Sequence, residues 1–181
     1  KKSKKSASRA AGHAARSASR LCACLYVDKW RTNTDAVGLH AGVLDIMVNN
    51  AGYIMFSPIV ETDADDWRRM MDVNINGIFL GIKAGAHQMI VQGKGGVIIN
   101  ASSGGGRKGV PNFAHYCATK AAIIMMSQAA AGEMAPHRIR VNCYTPGHVE
   151  TPMMSGLLDK IAGAQGTTRD EAYRALEDAV P

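Results

Sequence analysis

The 181-residue chain is 46% hydrophobic, enough to bury one real core, so a single folded domain is expected. No apolar run approaches the roughly 20 residues that a bilayer-spanning helix needs, which excludes a helical membrane protein and points to a soluble one. The formal net charge of +6 belongs to one end: Lys1, Lys2, Lys4, Lys5, Arg9, Arg16 and Arg20 precede the first acid, Asp28, and leave 14 basic against 15 acidic residues in the rest. A nearly neutral body argues against nucleic acid as the partner, although the basic end alone could meet polyanions or anionic membranes. That end reads as a solvated arm, and its Ser, Ala and Arg content without acids also fits a transit peptide. Cys22, Cys24, Cys117 and Cys143 lack the paired spacing of a zinc site, and a Cys-Ala-Cys triplet is too tight for an ordinary loop-closing disulfide. Reduced thiols and a cytoplasmic location are the expectation.

In chain order, residues 1–20 are low in complexity and show no hydrophobic period. Residues 21–27 have the composition of a short strand, 28–41 read as irregular, and order is expected to begin near Leu44. The domain division follows: a basic, low-complexity or irregular head at 1–43, then a folded body at 44–181. Residues 44–48 and 97–100 are short apolar runs ending in polar or small residues, as buried parallel strands are. Residues 138–143 alternate Ile139, Val141 and Cys143 and run toward a turn at Pro146 and Gly147. Between the first two strands, Thr62 or Asp63 can cap one long helix reaching Val91, with Gly93, Gly95 and Gly96 closing it. Between the second and third, 112–135 reads as a helix rich in Ala, Ile and Met and stopped by Pro136. Two further helical stretches follow, at 154–162 and 169–179. Strand, helix, strand, helix, strand is a parallel α/β pattern whose ligands sit beyond the carboxyl ends of the strands.

The chemistry concentrates at residues 102–120, SSGGGRKGVPNFAHYCATK, where Ser103 stands thirteen positions before Tyr116 and Tyr116 four before Lys120. Helical residues four apart share a face, so the Lys120 ammonium can lie beside the Tyr116 phenol. A free phenol has a pKa of about 10, and a neighbouring cation favours its phenolate. Tyr116 is therefore a candidate proton donor and acceptor.

Five segments in order, LDIMVNNAG (44–52), VNINGIFLG (73–81), GGVIINASS (95–103), YCATK (116–120) and RVNCYTPGHVETPM (140–153), resemble the short-chain dehydrogenases/reductases of the classical type. The resemblance implies a Rossmann-like, doubly wound parallel sheet and a catalytic set of Asn74, Ser103, Tyr116 and Lys120. Ser103 would hold the substrate oxygen, with Ser102 as the adjacent alternative; Lys120 would lower the Tyr116 pKa and bind the nicotinamide ribose; Asn74 would support a proton relay. Asn50, Ala51, Gly52, Tyr116, Lys120, Pro146, Gly147, Val149 and Thr151 would line the site of NAD or NADP. The substrate would be a small-molecule alcohol or ketone, and the 102–120 stretch most resembles polyol, sugar-alcohol and acetoin-type members. The last two helices would form a lid, and the helices carrying Asn74 and Tyr116 a four-helix interface in a homo-oligomer. His115 and His148 come with no carboxylate set of metal spacing, so no metal is expected. Met70, Met71, Met125, Met126, Met153 and Met154 read as core or lid packing.

The chain departs from the family at its flanks. The strand and glycine-rich TGxxxGxG turn that receive the cofactor pyrophosphate are not recognisable before Asp45, and Asp28 lies too close to Asp45 to be the acid of the adenine ribose. A last strand after AVP is likewise not recognisable, so the expected sheet is incomplete at both ends, as in the catalytic middle of a dehydrogenase behind an unrelated head. Three functions are open on this reading: an alcohol/ketone oxidoreductase; a noncatalytic, fold-derived binding or assembly protein that has lost pyrophosphate capture; and, third in order, a nucleic-acid binder using the basic head.

Overall fold

The computed structural model describes residues 21–24 and 43–179; the basic arm at 1–20, Asp28 and the stretch 28–41 lie outside the described residues. The apolar runs form four short strands, β1 (Leu21–Cys24), β2 (Ile46–Asn49), β3 (Gly96–Ala101) and β4 (Ile139–Tyr144). They lie side by side in chain order, and every pair is parallel, with Leu21 opposite Ile46, Ile46 opposite Val97 and Val97 opposite Arg140. The three strands expected of the body form with small shifts at their ends, and the strand anticipated within 21–27 joins the sheet beside β2.

Parallel strands need long crossovers, and helices supply them. After β2, Asp63 caps α1 (Ala64–Met71) by accepting the Asp65 amide at 2.7 Å; a π-helical turn (Asp72–Asn76) and α2 (Gly77–Gln92) follow. The sequence predicts one uninterrupted helix here. The interruption centres on Asn74, which is fully buried and pairs with the loop after β2, a demand that hydrophobic periodicity does not register. After β3 comes α3 (Ala114–Met134), which passes into a 3-10 turn (Ala135–His137) where Pro136 cannot continue the α-helical ladder. Thr151 caps α4 (Pro152–Gln165), and α5 (Arg169–Ala179) completes the described chain. No helix among the described residues is long and apolar enough to cross a membrane.

One core joins Met47, Ile98, Ile139 and Val141 of the sheet to Ile78, Ile82 and Met89 of α2 and Ile123 of α3. Burying each of these side chains is worth roughly 1.5–3 kcal/mol relative to exposure. A second core unites Phe113 and Cys117, at the start of α3, with Leu157, Leu158 and Ile161 of α4 and Ala172 and Leu176 of α5. The first holds the sheet to its crossover helices. The second brings the last two helices over the beginning of α3.

Polar residues also lie inside the first core and are linked by hydrogen bonds, although Asn49 Oδ1 is buried without a partner among the described residues. Asn49 Nδ2 donates to Asn100 Oδ1 at 2.8 Å, Asn100 Nδ2 donates to Ser127 Oγ at 2.9 Å, and Ser127 Oγ donates to the Ile123 carbonyl at 2.7 Å. This chain of bonds fixes β2, β3 and α3 relative to one another, since a slip would leave buried amides unpaired. Gly81 presses α2 against the same network: a Cβ there would lie 2.7 Å from Asn49 Cγ. Gly81→Val is expected to lower stability by about 3 kcal/mol or more through overpacking, read as a lower urea midpoint; an unchanged midpoint would contradict this packing.

Candidate active site

The carboxyl ends of β2, β3 and β4 and the first turns of α3 converge. Ser102 and Ser103 follow β3 directly, and a 3-10 turn (Gly104–Gly106) leads the chain toward α3. Three contacts fasten α3 to the end of β3. Ser102 Oγ donates to the Lys120 carbonyl at 2.7 Å, Lys120 Nζ donates to the Ala101 carbonyl at 3.0 Å, and Gly106 lies so near that a Cβ there would be 2.8 Å from the Lys120 carbonyl oxygen. Ser102 is thus spent on the backbone, and Ser103, of the two serines, is the one that lines the cleft beside Tyr116.

Helical spacing does what the sequence requires: Lys120 Nζ lies 5.5 Å from the centroid of the Tyr116 ring. Its electrostatic outcome differs from the expectation. Burial of the phenol, opposed by a hydrogen bond with Ser103 and assisted by Cys117, leaves the Tyr116 pKa above its ordinary value. Lys120 is only 4% exposed, and burial lowers its pKa from 10.5 to about 8. Desolvation, which depends on packing across the fold, outweighs the local pairing that the sequence displays. His115, next in sequence to Tyr116, has its Nε2 3.1 Å from the Met55 carbonyl, and burial lowers its pKa, so it ties the loop after β2 to α3 as a neutral ring.

Asn74 reaches the same region from the π turn. Its Oδ1 accepts the Tyr53 amide at 2.7 Å, while its Nδ2 donates to the Tyr53 carbonyl at 2.8 Å and to Thr119 Oγ1 at 3.0 Å; Thr119 Oγ1 in turn donates to the Tyr116 carbonyl at 2.7 Å. These bonds bind Asn74 to the loop after β2 and to the turn of α3 that carries Tyr116 and Lys120. Gly52 stands between the two: a Cβ there would lie 3.5 Å from Lys120 Nζ and 3.8 Å from Asn74 Oδ1. Asn50, at the mouth of β2, accepts a hydrogen bond from the Tyr144 hydroxyl, and Ala51 links it to Gly52.

Pro146 and Gly147 border a cleft with Ser103 and Tyr116, and the Pro146 carbonyl accepts the Gly104 amide at 3.0 Å. Val149 and Thr151 are not brought into this cleft. Val149 is 55% exposed, and Thr151 Oγ1 accepts the Met154 amide at 3.2 Å as the cap of α4. Thr151 instead borders a neighbouring depression with Glu150, Arg169 and Asp170. Sequence reasoning missed Thr119, Asn100 and Ser127, whose partners are distant in the chain, and the cleft walls Val110, Phe113, Leu157 and Leu176. The only signal of the cleft walls was apolar character, with Phe113, Leu157 and Leu176 in segments read as helical.

The chain matches the short chain dehydrogenase family over residues 9–162. It belongs to that family. The match begins well before Leu44, so family likeness extends into the segment read from the sequence as an unrelated head. The chain is 44% identical over 130 residues to a short-chain dehydrogenase/reductase of Armillaria gallica, covering 72% of this chain and 50% of that one. It is 36% identical over 160 residues to a sorbitol dehydrogenase of Cereibacter sphaeroides, covering 88% and 58%. Among solved structures, an NAD+-bound xylitol dehydrogenase superimposes with a TM-score of 0.67 at 36% identity, covering 75% of this chain and 52% of that one. The chain thus spans about half the length of the curated relatives it matches, and the fold is the Rossmann-type parallel α/β sheet of this family.

The buried Lys120 has a consequence for stability. Its pKa is about 8 in the fold and 10.5 in the reference state, so the unfolded chain holds more protons between those values and stability rises with pH there. Below pH 8 the cost of burying the charge is present in full. Lys120→Met is expected to raise stability at pH 7 by on the order of 1–2 kcal/mol, loss of the Ala101 hydrogen bond offsetting part of the gain. It should also flatten the rise between about pH 8 and 10, below the range where Tyr116 ionises. Urea titrations across that range check both effects.

Proposed function

We propose that the chain is the catalytic part of an oxidoreductase that interconverts an alcohol and a ketone with NAD or NADP. The observation that carries this reading is the meeting of Ser103 and Tyr116 at the wall of one cleft, with the Lys120 amine 5.5 Å from the phenol ring. The residues fit the nicotinamide end of the cofactor. Gly52 lies beside Lys120 without a side chain between the amine and the cleft, and Lys120 has donors beyond the one given to Ala101. Asn50, Ala51, Gly52, Tyr116, Lys120, Pro146 and Gly147 would hold that end, with Val149 and Thr151 flanking it. Bound nicotinamide supplies or accepts the hydride.

The remaining work falls to the chain's own groups. Ser103 Oγ and the Tyr116 hydroxyl together hold one substrate oxygen, fixing the carbon that bears it. Tyr116, kept neutral by burial, gives its proton to the carbonyl oxygen in reduction and takes the hydroxyl proton in oxidation. Lys120 stabilises the resulting phenolate, and Asn74, through Tyr53 and Thr119, holds the turn that carries both groups. The whole protein is further proposed to self-associate through α2 and α3, where Phe79 and Met125 stand 51% and 59% exposed.

Titrating the purified chain with NADH and NADPH while following nicotinamide fluorescence tests the reading: saturable binding supports the enzyme, and silence supports the noncatalytic assembly protein. Tyr116→Phe is expected to leave that binding largely intact and to reduce turnover at least about a hundredfold; normal turnover in this variant would remove the mechanism. Because the Tyr116 pKa lies above its ordinary value, alcohol oxidation should accelerate as pH rises through the alkaline range while ketone reduction slows. Opposed pH–rate profiles would verify the assignment.

A further inference from the structure

The cleft at Ser103 and Tyr116 encloses about 510 Å³, its open mouth included. Its walls come from three parts of the fold. Val110 and Phe113 precede α3, Met154 and Leu157 belong to α4, and Leu176 belongs to α5. The polar side chains on the wall are few among the described residues: Ser103, Tyr116 and His148, whose ring leans on Tyr173 with centroids 5.7 Å apart. The charged groups nearby, Glu150, Arg169 and Asp170, border the neighbouring depression instead.

A site of this composition can satisfy one oxygen well. Ser103 and Tyr116 provide its hydrogen bonds, and a compact hydrocarbon frame would gain by displacing water from the aliphatic and aromatic walls. Beyond one that His148 could meet, each additional hydroxyl would leave water to face Val110, Leu157 or Leu176 without a partner, which weakens binding severalfold to more than a hundredfold per group. We infer that the substrate is a compact, predominantly apolar ketone or secondary alcohol bearing a single oxygen, and not a polyol or sugar alcohol. This rests on the oxidoreductase reading of the same site and departs from the polyol-type likeness of residues 102–120. That likeness covers the reacting groups and the Val110 and Phe113 side of the cleft; the α4 and α5 walls are outside it.

The test uses the full chain and two families of six-carbon probes. Cyclohexanone and cyclohexanol represent the apolar class, and 2-hydroxycyclohexanone and sorbitol the hydroxylated one. Ligand-observed saturation-transfer NMR without nucleotide reads binding directly, and kcat/KM with NADH, NADPH or their oxidised forms reads turnover. The apolar probes are expected to bind at least tenfold more tightly and to show the same order in kcat/KM. Equal or tighter binding of the hydroxylated probes would overturn the inference and leave the oxidoreductase reading standing. Preferential binding of the apolar probes without turnover by either nucleotide supports the pocket assignment and removes the oxidoreductase reading. Absence of binding by both classes overturns the inference. Met154→Gln, at a half-buried position that tolerates a polar group, should narrow the preference about tenfold by offering a hydroxyl a partner. Leu157→Asn probes the buried wall in the same way, and an unchanged preference in a folded Met154→Gln protein would remove this wall from the substrate's path.

Discussion

The site depends on how a lysine ammonium is kept inside a protein. Lys120 is nearly out of contact with solvent, and burial alone would drive it toward the neutral amine. The Ala101 carbonyl at the end of β3 gives it one strong partner, the Tyr116 ring presents its electron-rich face, and Ser102 and Gly106 hold the Lys120 backbone where both contacts can form. The same contacts seat the opening turns of α3 against the sheet, so Tyr116 is placed opposite Ser103 as a by-product of accommodating the lysine. The buried lysine thereby dictates local packing, at a cost to stability below pH 8.

Around this centre, amides do what apolar side chains cannot. Asn49, Asn100 and Ser127 link two strands and a helix through the middle of the core, and Asn74 joins the π turn to Tyr53 and Thr119. Apolar contacts tolerate sliding, whereas a buried carboxamide has few acceptable partners and penalises every wrong one. The consequence is a site whose parts come from four separate segments yet keep a single geometry.

Much of this was legible because it is local. The four-residue step from Tyr116 to Lys120 fixes their shared face, and the short apolar runs at 46–49, 96–101 and 139–144 are readable as strands from composition. The Asn49–Asn100 and Asn74–Thr119 pairs were not legible, since nothing in one segment specifies a partner in another. Thr151 is instructive in the opposite direction. A threonine directly before Pro152 is a recognisable helix start, a local signal for the capping bond that its hydroxyl oxygen accepts from Met154. The phenol's pKa failed to follow its lysine for a related reason: sequence displays the neighbour but not the depth of burial.

The division of the hydrophobic residues into two clusters sets the order in which the molecule comes apart. The sheet, α2 and α3 share one interior, while α4 and α5 are attached through Phe113, Cys117 and their neighbours, at the edge of the cleft itself. Partial opening is cheapest where a small cooperative unit can detach without disturbing the larger one. Peeling α4 and α5 away is such an event, and it bares the passage to Tyr116. On the proposed function, ligand entry and exit would run along this seam, and residence time in the cleft would depend on the adhesion of Leu157 and Leu176 more than on the strength of the sheet.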